Sequence, residues 1–367
     1  MKGDGSGTPN AGENTRESSS ESTSASTRVR TQRIVGDGTA SAAALAATLP
    51  LASTTIAGTP ETVDGGSLLT LPVAALHPGD LLLPSFASAQ AADLQFCFRY
   101  AGKRLLTVPS QARDPATQVP TRAGESATPV ATHLDYFEVR EAQPAQPLEL
   151  WVSNPRALIA PYLLTVSIRR AAAPSAEPFP AIAAPAIAAP AVAAVALRRT
   201  PQPLSQRLAP PALAPRICSP TSVAMALAAL NQPVDWLGFV EQCRDEASGL
   251  YGIWPLNVHR AAQHGVLGAV EFFDRWEPVT ALLAADCPVV ASIRYDADAL
   301  PGAPQRASAG HLVLVRAVDA RSVLVNDPAG ESLDAVPIRY PRAAFERAWF
   351  QSRGAAYYFL PPRQRTN

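Results

Sequence analysis

Nowhere does the chain hold 18 or more consecutive strongly apolar residues, so no helix is expected to span a membrane. An excess of one charge is also missing, because 31 lysines and arginines balance 31 aspartates and glutamates. Phosphate backbones are bound through a basic field, which excludes nucleic acid as the main partner. Cysteine is scarce as well. Cys97, Cys218, Cys243 and Cys287 lie far apart and form no CxxC pair, which excludes a disulfide-dense scaffold and a zinc ribbon. No Cys/His pair has ligand spacing, so neither a metal nor another cofactor is expected. Four thiols permit two bridges without requiring one, so cysteine usage suits a soluble protein in a secreted, cell-envelope or cytoplasmic setting alike.

Proline is what the chain has in plenty, with 36 in 367 residues, about twice the usual ~5%. At 47% apolar and 17% charged residues the chain is too apolar to be wholly disordered. Its length allows two or three domains, each with its own core. Residues 1–58 are expected to be disordered or poorly ordered, because the stretch from Met1 to about Arg33 has almost no apolar side chains to offset chain entropy. Within it, residues 39–56 are rich in Ala, Leu and Thr and follow Arg28, Arg30 and Arg33. Pro50 interrupts that run, no clean A-x-A site follows, and Met1 is far away. It fits a linker or first strand better than an export signal.

Residues 59–170 show short apolar or alternating runs at 67–73, 93–100, 133–139, 147–152 and 162–169, separated by turn residues. The period is close to two and no segment keeps a helical repeat, which predicts an antiparallel β-sandwich of about seven or eight strands. Residues 171–200 collapse onto Ala and Pro, with prolines recurring at Pro180, Pro185 and Pro190. Regular prolines favour polyproline II, so this span is expected to be a semi-rigid linker that separates two bodies. Residues 201–362 read as α+β. Helices are predicted at 220–230, 236–243, 255–264, 278–284 and 342–349, and strands at 288–294, 311–318, 323–325 and 355–360.

Cys218 precedes Ser219-Pro220-Thr221-Ser222, at the start of the best-signalled helix. A thiol there meets unpaired backbone N–H groups and the positive end of the helix dipole, and both favour the nucleophilic thiolate. Acyl transfer by a thiolate needs an imidazole partner. His77 and His133 lie in the β region, while His259 and His264 share one helix and suit ordinary roles. His311 follows Gly310 and opens the strand 312–318, which turns at 319–322 and returns as Val323-Leu324-Val325-Asn326-Asp327-Pro328.

Reflecting that hairpin about residues 319–320 places His311 opposite Asp327 or its immediate neighbours. A carboxylate there would fix the imidazole's tautomer and orientation. Asn326 is the alternative orienter, since a one-residue change of register exchanges the two faces. Gln206, twelve residues before Cys218, is the candidate donor to an oxyanion, together with the Cys218 N–H.

These residues stand in pieces that resemble the C39-like family of papain-fold cysteine peptidases, in its Cys-Ser-Pro-Thr-Ser branch. The matching pieces are Ser205-Gln206, Cys218-Ser219-Pro220-Thr221-Ser222, Gly252-Ile253-Trp254-Pro255, Cys287-Pro288-Val289, Gly310-His311-Leu312 and Val325-Asn326-Asp327-Pro328. They cover most of 201–362 in the family's order. The resemblance implies a papain-like fold with Cys218 as nucleophile, His311 as general base and acid, Asp327 as orienter and Gln206 as oxyanion donor. More faintly, Asp80-Leu81-Leu82-Leu83-Pro84-Ser85 and His133-Leu134-Asp135-Tyr136-Phe137 are similar to the β-rich region that precedes the peptidase in that branch.

The expected function is therefore a thiol-dependent hydrolase, a cysteine peptidase or amidase, acting on a peptide or amide through a thioacyl intermediate. Relatives that trim Gly-Gly leaders are fused to transporters, whereas here a free-standing enzyme is expected. The alternatives are a binding or adhesion module in which the sandwich carries the function, and an acyltransferase using the same residues. Nothing in the pattern specifies an oligomer.

Overall fold

The computed structural model describes residues 28–36, 49–53, 60–63, 65–90, 94–108, 128–159, 161–171 and 194–362. The first ten strands are β1 (Val29–Gly36), β2 (Glu61–Val63), β3 (Gly66–Val73), β4 (Leu81–Ser88), β5 (Phe96–Tyr100), β6 (Lys103–Val108), β7 (Val130–Thr132), β8 (Phe137–Val139), β9 (Gln146–Val152) and β10 (Tyr162–Arg169). They form two five-stranded sheets, in the orders β1-β10-β4-β8-β7 and β2-β3-β9-β5-β6. Inward side chains of both sheets, among them Phe86, Leu164 and Val166 of one and Leu71, Phe98 and Leu150 of the other, close into one buried cluster. The sheet-rich N-terminal region is thus a β-sandwich built on alternation.

β1 lies inside the span expected to be poorly ordered, and it pairs along its whole length with β10, from Val29 opposite Arg169 to Gly36 opposite Tyr162. Local composition misled because the strand is held by its neighbours. Its Arg33 is paired with the fully buried Glu271 of the C-terminal half, and its closing residues Ile34, Val35 and Gly36 are buried. Of the segment 39–56, only 49–53 fall within the described residues, and there Leu49 and Leu51 are buried in the C-terminal core. Within the expected linker, residues 172–193 lie outside the described residues.

The C-terminal half holds β11 (Val195–Ala196), α1 (Cys218–Ala229), α2 (Trp236–Gln242), α3 (Trp254–Gln263), β12 (Gly268–Phe272), α4 (Trp276–Ala284), β13 (Val289–Tyr295), β14 (Ser308–Val318), β15 (Ser322–Asn326), β16 (Pro337–Pro341), α5 (Arg342–Trp349) and β17 (Ala355–Phe359). The sheet runs β12-β17-β13-β14-β15-β16, with β11 pairing on β14. Helices come first and the β-ribbon later, so the α+β expectation holds. α1 begins two residues before the predicted start, with Pro220 inside its first turn. A missing N–H is tolerated there because that group has no intrahelical partner. Ten of the twelve α1 residues are buried, as befits a helix enclosed on all sides.

The two halves meet along β12, the edge strand of the C-terminal sheet. An open edge presents unpaired N–H groups, and here two of them are capped by hydroxyls of the sandwich. Val270 N donates to Ser85 Oγ at 3.1 Å and Phe272 N to Ser167 Oγ at 3.0 Å. Around them Leu83 and Ala87 enter the cluster of α1 and α3, while Val35 and Leu163 enter that of α4 and α5. β4 and β10 are therefore buried on both faces, which explains their near-continuous apolar runs Leu81-Leu82-Leu83 and Tyr162-Leu163-Leu164.

Candidate active site

Cys218 is the first residue of α1 and is partly exposed, whereas Cys97, Cys243 and Cys287 are buried. No side chain caps this helix end, whose flanking residue is Ile217, so the first-turn N–H groups remain available to a negative charge. α1 is pinned to β14 by Ser222, whose hydroxyl donates to Leu312 O at 2.9 Å. This tie holds Cys218 beside the start of the β14–β15 hairpin, where β14 runs on beyond its last pair with β15.

His311 lies in that overhang. Its Nε2 and Asp327 Oδ1 are 2.7 Å apart, and the two side chains are 2% and 0% exposed. The hairpin register differs from a simple reflection. The observed pairs are Leu314 with Asn326 and Val315 with Val325, followed by a bulge, and then Ala317 with Leu324. The turn falls at 319–322, and there Asp319 Oδ1 accepts from the N–H groups of both Arg321 and Ser322. Asp327 therefore continues the ladder opposite Val313, not His311. A shift of two residues preserves the face, so Asp327 reaches His311 as its diagonal neighbour. Asn326 faces the other way, with its amide 3.6 Å from Met225 Sδ.

Asp327 is further held by Tyr340, whose hydroxyl donates to Oδ2 at 2.7 Å, and by the Ala329 N–H, which reaches Oδ1 at 2.9 Å. Tyr340 was not legible as a site residue. The only signal was a short alternation, Ile338-Arg339-Tyr340, between two prolines. Gly330 lets this turn fold back on itself, because a Cβ there would fall 2.6 Å from the Ala335 backbone.

Gln206 is buried on a single 3-10 turn, Gln206–Leu208, strapped to the Asp327 turn. Gln206 N donates to Pro328 O at 2.8 Å, and Ser205 Oγ donates to Gly330 O at 2.5 Å. The Gln206 amide gives one Nε2 hydrogen to Ala214 O at 2.6 Å, and its Oε1 has no hydrogen-bond partner among the described residues. The turn thus ties the segment before α1 to the segment after β15.

The electrostatics follow from these contacts. Burial works against a charged His311, but the Asp327 carboxylate and the hydrogen bond from its side push the imidazole up to about 10. Burial alone would raise the Cys218 thiol. The hydrogen bond and charge of His311, with the Leu312 N–H, outweigh it and bring the thiol below its ordinary value. Asp327 is likewise held below the usual carboxylate range, with His311, Tyr340 and the Ala329 N–H overcoming the cost of burial. Since Nε2 is taken by Asp327, Nδ1 is the nitrogen left for the thiol. A thiolate and an imidazolium side by side can attack a carbonyl and then protonate its leaving group. Among the described residues no group of His, Cys, Asp and Glu is arranged to hold a metal ion. No described helix is long and apolar enough to cross a membrane.

Residues 200–357 match the model of the family described as Peptidase_C39 like family. No curated protein matches the chain. Among solved structures, a double glycine motif protease from an AMS/PCAT transporter, in complex with the leader peptide, is 15% identical. The alignment covers 45% of this chain and 97% of that one, with a TM-score of 0.31. A putative C39-like peptidase from Bacillus anthracis is 20% identical over 47% of this chain and 99% of its own, with a TM-score of 0.35. Scores this low add nothing to the family match.

Proposed function

We propose, from the premise that residues 200–357 form a domain of the C39-like peptidase family, that this protein is a thiol-dependent peptidase or amidase. The observation that carries the reading is a partly exposed Cys218 at an uncapped helix start, its thiol brought below the ordinary value chiefly by His311, whose ring Asp327 holds at 2.7 Å. The Cys218 sulfur attacks the carbonyl carbon of an amide. The oxyanion takes the Cys218 N–H and the second Nε2 hydrogen of Gln206, the first being engaged by Ala214. His311 gives its Nδ1 proton to the departing amine, and a thioacyl bond to Cys218 remains. Water then loses a proton to His311 as its oxygen attacks the thioester carbonyl. The acid departs, and thiolate and imidazolium are restored.

Asp327 orients the ring throughout and stabilises its charge, and Tyr340 and Ala329 hold Asp327. Cys218→Ala should abolish turnover of any peptide the wild type cleaves and remove the reactive iodoacetamide adduct, while leaving the melting temperature within a few degrees. Retained turnover in that variant would sink the reading. Recovery of free acid, and not an amine conjugate, separates hydrolysis from acyl transfer.

A further inference from the structure

Asp135 is a buried carboxylate that the proposed chemistry leaves unused. It sits in the sandwich, on the turn between β7 and β8, yet its Oδ1 accepts the Trp254 N–H at 2.7 Å. Trp254 opens α3, whose own flanking residue Ile253 offers no side-chain cap. The missing cap therefore comes from the other half of the molecule, 119 residues away in sequence. Next to it, Tyr136 stacks on Trp254 with centroids 6.4 Å apart, and the Arg353 guanidinium lies over the Tyr136 ring.

From the capped end, hydrogen bonds lead to Ser219, the residue after Cys218. Asn257 Nδ2 donates to Tyr251 O at 2.9 Å and to Ile253 O at 2.8 Å, so it fixes the segment 251–253. Its Oδ1 accepts from Ser219 Oγ at 3.2 Å, and Ser219 adjoins Cys218. Ser219 Oγ also lies 2.8 Å from Tyr357 Oη. Within the fixed segment Gly252 is partly exposed and has open space where a Cβ would stand. The backbone at Gly252 is thus open on its outer side.

We infer that Asp135 is a positioning residue for the active site: from the sandwich it fixes the segment 251–254 and, through Asn257, the Ser219 turn beside Cys218. The catalytic half is incomplete without the sandwich. Burial pushes the Asp135 carboxyl up to about 7, against the pull of the Trp254 N–H and Arg353. Acceptance of a hydrogen bond, more than a full charge, is what the position supplies, and an amide oxygen serves as well.

The kinetic consequence rests on the peptidase reading of Cys218, whereas the structural consequence does not. The test uses the full-length protein and three readouts: hydrogen exchange of the peptide containing Trp254 to Asn257, KM and kcat on a cleaved peptide, and the rate of Cys218 alkylation by iodoacetamide. Asp135→Ala should speed exchange and raise KM, each about tenfold, and leave alkylation within about twofold. Asp135→Asn should bring exchange and KM back to within about threefold of wild type.

Unchanged exchange and KM in Asp135→Ala would overturn the inference. So would an Asp135→Asn as impaired as the alanine variant. If the alanine variant does not fold, Asp135→Ser, too short to reach the Trp254 N–H, carries the same expectations. Turnover that persists without Cys218 would remove the peptidase reading, while exchange would still decide the role of Asp135. Unchanged exchange would remove that role and leave the peptidase reading standing.

Discussion

Two histidines in the C-terminal half are almost equally deep, His311 at 2% exposed and His259 at 1%, and they are driven in opposite directions. Around His311, Asp327 and the Cys218 thiol overcome the cost of burial and hold the ring as a cation. Around His259, burial and the neighbouring Arg260 push the ring down to about 3. Its edge meets the Phe96 ring with centroids 5.7 Å apart, and its Nδ1 has no hydrogen-bond partner among the described residues. The cysteines divide the same way. Burial pushes Cys287 up to about 12 and raises Cys97 and Cys243, while Cys218 alone is lowered. Burial sets how much a charge costs, and the partner decides whether it forms.

The contrast breaks first at Asp327. Asp327→Asn keeps the shape of the contact but removes the charge that holds the His311 cation. It should lower kcat by a factor on the order of 10² to 10⁴, measured on any peptide the wild type cleaves. A loss below about threefold would mean that His311 needs no orienting charge.

The same pair predicts a pH signature. His311 is raised in the folded state, so its stabilisation is fully present below the unfolded imidazole's ~6.5 and is lost as pH rises through about 10. Asp327 is depressed, so its stabilisation is present above the unfolded carboxyl's ~3.9 and is lost as pH falls through the folded value. Urea unfolding of the wild type and Asp327→Asn should therefore differ most between roughly pH 4 and 6.5 and converge towards both extremes.

A second buried carboxylate sharpens the lesson. Glu271 is fully buried, accepts from Arg33 and Tyr358, and joins the sandwich to the C-terminal half. Arg33→Ala leaves it unpaired, and the unfolding free energy should fall by about 3–5 kcal/mol. A change within about 0.5 kcal/mol, the size of an ordinary surface substitution, would mean that the two halves do not rely on this pair. The smallest effect belongs to His259. His259→Phe removes a polar group that makes no charge, so kcat/KM should stay within about twofold, and a large loss would give His259 a part in the chemistry.

Much of this was readable in the sequence, and for identifiable reasons. Cys218, His311 and Asp327 were picked because a helix start and a hairpin are short-range features, and parity along a strand survives an error of two in register. The helix boundaries fell within two residues because Trp, Pro and Ala patterns mark them locally. What escaped was long-range. β1 depends on β10 and on Glu271, and β12, with a glutamate one residue from its end, depends on Arg33 and on two serine hydroxyls of the sandwich. Tyr340 and Asp135 act across turns whose partners lie elsewhere. The Ala/Pro-rich span suggested two separate bodies, yet β4 and β10 carried the opposite signal, since strands with apolar residues at consecutive positions are buried on both faces.

The central claim, that partners and not burial set the state of the thiol, is tested most directly by the pH dependence of iodoacetamide alkylation, read cysteine by cysteine by mass spectrometry on the folded protein. Cys218 should react alone, at a rate that is already high below neutral pH and stays level until the His311 cation is lost near 10. Alkylation of Cys218 that follows an ordinary thiol, rising through about 8.5 with no preference over Cys97, Cys243 and Cys287, would contradict it.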